Sequence, residues 1–333
     1  MQRVLVPVSL DAPPPVVPEG AVRQWRGQAM GTTWSVSAVV RAGHDDDGVA
    51  GGIGTVLDRI IAEMSNWSES SDLSRFNRAA ADRWVTLPAD AFTVLQAALQ
   101  LARDSGGAYD PSAGPLVDLW GFGPGGERAA VPTPDEVARV RERCGWQRIE
   151  IDAARHRVRQ PGGTSLDLCA IAKGFAVDAV SRHLAETGLA HHLVEIGGEL
   201  RGKGLKPDGM PWWVELETPP GNDASARRTL VALLGLSVAT SGDYRRYFEA
   251  DGRRYAHTID PRTGYPAAHA LASVTVLHRD CMMADALSTA LTVLGPLAAL
   301  AFAQRHALAA RLLVRTPDGF DELTTPAFDA MLS

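Results

Sequence analysis

Long apolar runs are missing from this 333-residue chain. Nothing approaches eighteen consecutive apolar residues, so no membrane-spanning helix is expected. Basic blocks are missing too. There are 33 Lys and Arg against 39 Asp and Glu, a net charge of −6, which makes nucleic acid a poor partner. Cysteine is scarce: Cys144, Cys169 and Cys281 are an odd number at unrelated spacings, which argues against both a disulfide framework and a zinc site. The opening stretch, "MQRVLVPVSLDAPPPVVPEG", has no cysteine to lipidate, and Pro7 and Asp11 break its short apolar part. It is a poor signal peptide. A cytoplasmic location is expected, or a periplasmic one if the leader has been trimmed. No GxxxxGK[ST] occurs, so there is no P-loop, and no internal repeat is visible.

What is present is an ordinary globular composition, 45% hydrophobic and 22% charged, with enough chain for a large core. Residues 1–27, Pro-rich at 13–18, read as an extended, partly disordered leader. Residues 28–333 read as one unit, either a single body or two intimately packed ones. Strands are expected at 29–40, in "TSLDL", on both sides of the Gly-Gly turn in "HLVEIGGELRGKG", and in "WWVELE", "LSVATSG", "ASVTVLH" and "ARLLVRT". "QRIEIDAARHRVRQ" resembles a hairpin. Helices are expected over 56–67, 90–104, from Thr133 as an N-cap, through "AIAKGFAVDAVSRHLAETG" up to Gly188, over 281–294 and over 296–306. "YDPSAGPLVDLWGFGPGG" reads as a long loop of the kind that bears sites. Mixed elements with adjacent strand pairs give an α+β class with mixed or antiparallel sheets.

Three stretches carry chemistry. The 281–294 helix has one charged residue, Asp285, with Ser288, Thr289 and Thr292 at i+3, i+4 and i+7. A stripe of small oxygen-bearing side chains on an otherwise apolar helix suits a buried hard cation such as Mg²⁺. The plainer alternative is Ser and Thr back-bonding to their own helix. In "LDLCAIAKGFAVD" (166–178) a strand runs into a helix start, where free N–H groups favour anions and Lys173 adds a point charge. Here the alternative is a capped helix with a solvated lysine. In "YAHTIDPRTGYPA" (255–267) the Asp-Pro and Thr-Gly steps make a turn, but they leave His257 unexplained. Cys169 at the helix start is either an activated thiol or a small packed residue. "GDYRRYF" and "FNR" read as surface or core.

"MGTTWSV", "MSNWSESSDLSRFN", "GGAYDPSAGPLVDLWGFG", "LDLCAIAKGFAVD", "LVEIGGELRGKG", "VATSGDYRRYF", "HTIDPRTGYP" and "ADALSTALTVLG" stand in the order seen in FAD:protein FMN transferases, the ApbE family. Over residues 28 to 296 the chain resembles that family. The resemblance implies an α+β fold and an Mg²⁺-dependent transfer of FMN from FAD to a Thr or Ser of a target flavoprotein, releasing AMP. It implies FAD contacts at Met30, Trp67, Ala108, Tyr109, Asp110 and Ile259, and a flavin- or phosphate-binding pair in Asp167 and Lys173. It implies a metal site from the Ala170 carbonyl, Asp285 and Thr289, assisted by Ser288. His257 becomes the acid–base group. Trp67 stands where many relatives have Tyr, and Cys169-Ala170 where Gly-Gly is more usual. An FAD pyrophosphatase and a flavin carrier without turnover are the rival functions.

Overall fold

In the computed structural model, residues 3–9, 16–43, 47–128, 130–219, 228–244, 246–250 and 252–332 are described. An eight-stranded antiparallel sheet runs through them, and its spatial order follows the chain. The strands are β1 (Ala21–Ala29), β2 (Thr32–Val40), β3 (His192–Ile196), β4 (Glu199–Lys203), β5 (Leu236–Gly242), β6 (Leu271–His278), β7 (Ala309–Thr316) and β8 (Gly319–Thr324). Local turn chemistry sets much of this order. Met30-Gly31 joins β1 to β2 with φ of 53° and 71°, the positive pair of a type I′ hairpin turn. The class is α+β, as the sequence predicts.

Two helices lie against the sheet, α3 (Cys169–Glu186) on β3 and β4, and α4 (Cys281–Leu294) on β5 and β6. Helices α1 (Val49–Met64), α2 (Ala89–Asp104) and α5 (Pro296–Arg305) pack on these two. Their apolar faces, with Ile60, Leu95, Phe175 and Leu291, close the main core over Val36, Val194 and Val274. A second core joins Val39, Val238 and Leu277 to Leu5, Trp212, Val231 and Phe328. A third, around Leu116, Trp120, Phe122, Val137 and Ile259, supports the hairpins near His257. Among the described residues no helix is long and apolar enough to cross a membrane.

Several expectations need correction. Of the expected 1–27 leader, residues 3–9 and 16–27 are described, and two segments of it pair with other strands. Arg3–Leu5 pair in parallel with Thr229–Val231, and the 27/28 boundary falls inside β1. Of the Pro-rich stretch, 13–15 lie outside the described residues. The expected loop after Tyr109 contains a helix, Gly114–Leu119, with Pro115 in its first turn. "TSLDL" is no strand: Ser165 makes one isolated bridge to Ala113, and the chain then runs into α3. The helix expected at 56–67 starts at Val49 and stops at Met64.

Helices α3 and α4 are locked by two carboxylates that reach across in opposite directions. Asp178 of α3 accepts the first N–H groups of α4, from Cys281 at 3.1 Å and Met282 at 2.9 Å. Those donors have no intrahelical partner, so a neighbour's carboxylate does the work of an N-cap. In return, Asp285 Oδ2 of α4 accepts the Gly174 N–H of α3 at 2.9 Å. Gly174 permits this approach. A Cβ there would sit 2.2 Å from the Cys281 carbonyl oxygen and 2.8 Å from Asp285 Cβ. Gly174→Ala is therefore expected to lower the melting temperature, with overpacking of roughly 1–3 kcal/mol outweighing about 1 kcal/mol of helix propensity. An unchanged or raised melting temperature would mean that the helices do not meet so closely.

Candidate active site

Two neighbouring chambers that share lining residues lie along the N-terminal end of α3. The larger, about 630 Å³, is walled by Met30, the end of α1, Ala172 and Lys173. The smaller, about 170 Å³, is walled by Tyr109, Asp167, Ala170, His257 and Thr289 among others. Trp67, Cys169 and Arg246 line both chambers and so mark their junction. The combined size is that of a small-molecule site. Trp67 is 55% exposed, a large aromatic face left open to a planar ligand. The Tyr109 hydroxyl, buried against the smaller chamber, has no hydrogen-bond partner, which is the mark of a group awaiting one.

Behind this wall lies a compact charge cluster. Lys173 Nζ is 2.5 Å from Glu199 Oε1 and 3.7 Å from Asp285 Oδ1. Both carboxylates are buried. One ammonium thus serves two carboxylates, and the excess is negative. Burial works against the charged lysine, but Asp285 and Glu199 hold its proton well above the ordinary range. The Gly174 N–H donates to Asp285, and Ala170, four residues earlier, departs from helical φ and ψ (−88°, 15°). The helix start is bent at Ala170, which lines the smaller chamber. Asp285, Thr289 and that carbonyl are hard oxygen donors, one anionic and two neutral. The set fits Mg²⁺, which keeps waters and takes substrate phosphate oxygens. Among the described residues no group of three or more His, Cys, Asp or Glu side chains is placed to hold a metal, so the hard-donor set here is one carboxylate with a hydroxyl and a carbonyl.

His257 follows a short strand, Arg253–Ala256, and its ring packs edge-on to Phe122. Its Nδ1 lies 3.1 Å from the Arg246 carbonyl oxygen. A carbonyl only accepts, so Nδ1 carries the hydrogen and Nε2 keeps its lone pair. Burial, then the Arg246 and Lys173 charges, holds the imidazole below its ordinary value. It is a neutral base at pH 7.

A family model described as the ApbE family matches residues 30–312. The chain belongs to the ApbE family. The FAD:protein FMN transferase of Haemophilus influenzae is 38% identical over 314 residues, 91% of this chain and 89% of that protein. The FAD:protein FMN transferase of Vibrio cholerae is 38% identical over 311 residues, 92% of each chain. Among solved structures, the Pseudomonas stutzeri flavinyl transferase ApbE matches with a TM-score of 0.86 and 40% identity, over 93% of this chain and 96% of that one. Family membership makes this protein an enzyme, a transferase.

The ApbE-family cleft gathers most of the residues that the sequence singles out. Ala108, Asp110 and Ile259 join the smaller chamber, and Met30 with Lys173 the larger. Asp285 and Ser288 stand behind the wall. The Ser288 hydroxyl donates to the Asp285 carbonyl at 2.8 Å and lies 2.7 Å from Ser241 Oγ, which in turn is 3.2 Å from Thr289 Oγ1. For Ser288 and Thr292 the back-bonding alternative holds, since Thr292 donates to the Ser288 carbonyl at 2.8 Å. Asp110 has both carboxyl oxygens engaged, by Ser112 and the Trp146 N–H. Asp167 accepts the Cys169 N–H at 2.8 Å, and burial raises its acid. Cys169 reaches the cleft, and desolvation and then Asp167 push its thiol up, against an activated thiolate.

Three residues of this ApbE-family site escape sequence reading: Arg246, Glu199 and Ser241. Glu199 stands directly after the Gly-Gly turn, an offset that holds the only available signal. Lys173, expected from the sequence to bind a phosphate, has its ammonium committed to Glu199 and Asp285. Lys173→Ala is expected to raise the FAD concentration needed for binding and to lower stability by roughly 2 kcal/mol, since it strips two buried carboxylates of a charged partner. FAD titration and thermal unfolding of one preparation check this. A merely solvated lysine would leave both unchanged.

Proposed function

We propose that this chain is an Mg²⁺-dependent FAD:protein FMN transferase, moving FMN from FAD to a Thr or Ser hydroxyl of a target flavoprotein with release of AMP. One observation carries the reading. A neutral His257, with Nε2 held as a proton acceptor, lines the same chamber as Ala170 and Thr289, with the buried carboxylate of Asp285 behind them.

In the reaction, the acceptor hydroxyl oxygen attacks the phosphorus of the FMN half. The new oxygen–phosphorus bond forms as the bond to the AMP phosphate breaks, and AMP leaves with that electron pair. His257 Nε2 takes the hydroxyl proton. Its tautomer and orientation are fixed in advance by the Arg246 carbonyl, so no reorganisation precedes the transfer. Trp67 offers a face for an aromatic ring, and Tyr109 offers its unpartnered hydroxyl. Asp285, Thr289 and the Ala170 carbonyl would hold the Mg²⁺, which supplies charge neutralisation on phosphate oxygens. Lys173 keeps Asp285 in place.

Incubation with FAD, Mg²⁺ and a candidate acceptor subunit tests the reading. Flavin fluorescence on the denatured acceptor, with AMP in solution, is expected. AMP without labelled acceptor would make the chain an FAD pyrophosphatase, and neither product would make it a carrier.

A further inference from the structure

Arg246 sits where the two chambers meet. Its guanidinium lies over the Phe122 ring, 5.9 Å from the centroid, and Nη2 donates to the Phe122 carbonyl oxygen at a long 3.3 Å. Among the described residues it has no carboxylate partner. Nearby carboxylates are committed elsewhere: Asp243 accepts from both terminal guanidinium nitrogens of Arg315 at 2.5 and 2.6 Å, and Asp285 pairs with Lys173. The other cation of the cleft, Lys173, is shared between Glu199 and Asp285. Arg246 is therefore the cleft cation whose charge is not already used. An exposed guanidinium, held over an aromatic ring in a site with several acids, is set up for an anionic ligand.

The ligand's chemistry says which anion. A dinucleotide that fills both chambers must thread the junction with its middle, and the middle of FAD is the pyrophosphate. We propose that the Arg246 side chain binds that pyrophosphate and neutralises the charge left on the AMP phosphate as the bond breaks. This rests on the reading of the cleft as an FAD site and assigns a group within it. The same residue has a second, main-chain part in the site. Its carbonyl accepts both the backbone N–H of His257 at 3.1 Å and Nδ1 of its ring at 3.1 Å. One residue thus couples the placement of the base to the placement of the anion. Planar guanidinium matches phosphate oxygens in pairs, which lysine does only as a point charge.

The test uses the full chain with Mg²⁺ and FAD, comparing wild type with Arg246→Gln and Arg246→Lys. Three quantities are read: the FAD dissociation constant, the melting temperature and the single-turnover rate at saturating FAD. Arg246→Gln is expected to weaken FAD binding roughly 10- to 100-fold, the range of a lost charge-assisted contact. Arg246→Lys should recover part of that loss. Both melting temperatures should stay near wild type, because the side chain is exposed and the hydrogen bonds to His257 come from the main chain. Wild-type FAD affinity in Arg246→Gln, or no recovery by lysine, would overturn the proposal and leave the FAD site standing. A wild-type chain that binds no FAD would instead remove the reading on which the proposal rests.

Discussion

Asp285→Ala is expected to lose divalent-dependent transfer, by at least about a hundredfold, since the charge neutralisation at stake is worth several kcal/mol. Asp285 is the only carboxylate of α4, so nothing on that helix replaces its charge. It also accepts the Gly174 N–H and faces Lys173, so its truncation disturbs the contact between α3 and α4. Asp285→Asn separates the two effects. An amide oxygen can still accept the Gly174 N–H, so the fold is expected to hold while metal affinity falls. Calorimetric titration of Mg²⁺ in the presence of FAD reads the metal directly. Chelation should abolish wild-type activity and change little in either variant. A folded Asp285→Asn with wild-type Mg²⁺ dependence would remove the metal from α4.

His257→Ala is expected still to bind FAD and Mg²⁺ but to transfer FMN roughly 10²- to 10⁴-fold more slowly, the usual range for a lost general base. Ground-state binding should barely change, because the proton moves only as the acceptor hydroxyl attacks. The pH dependence has a definite sign. Burial and the Arg246 and Lys173 charges lower this imidazole, so the neutral form persists through pH 7 and is lost only in acid. The acid limb of the wild-type single-turnover profile should lie below 6.5, the ordinary imidazole value, and should vanish in His257→Ala. A limb that survives in the variant belongs to another group. A stable, FAD-binding variant with normal transfer would leave His257 as a turn residue.

The parts that were legible in the sequence are those with a local cause. The 281–294 helix announces itself by periodicity and by its single charge. Thr133 forms the capping box with Glu136 that its position before Pro134 suggests. The Gly-Gly turn between β3 and β4, and the separation of α4 from α5 at Gly295-Pro296, follow from glycine and proline alone. What stayed hidden depends on distant partners. Strand β1, with most of its residues exposed, offers little apolar alternation, and β2 defines it by pairing. Arg3–Leu5 becomes a strand only against residues 229–231.

Site residues divide in the same way. Asp285 and Thr289 are visible as a stripe because they share a helix. Glu199, Ser241 and Arg246 come from separate strands and a loop, and only folding brings them to Lys173, Thr289 and His257. Lys173 illustrates the limit most clearly. Its place near a helix start suggests a phosphate ligand, while its two carboxylate partners lie 26 and 112 positions further along the chain. The resemblance to the family supplied roles for single residues, and the packing of α3 on α4 supplies the physical reason for several of them.

The most direct measurement is the mass of an acceptor flavoprotein subunit after incubation with this protein, FAD and Mg²⁺, with AMP counted in the same tube. One FMN joined through phosphate to a Thr or Ser, with one AMP released per FMN attached, is the expected result. An unmodified acceptor alongside stoichiometric FMN and AMP would contradict it, because water rather than a protein hydroxyl would then be the second substrate.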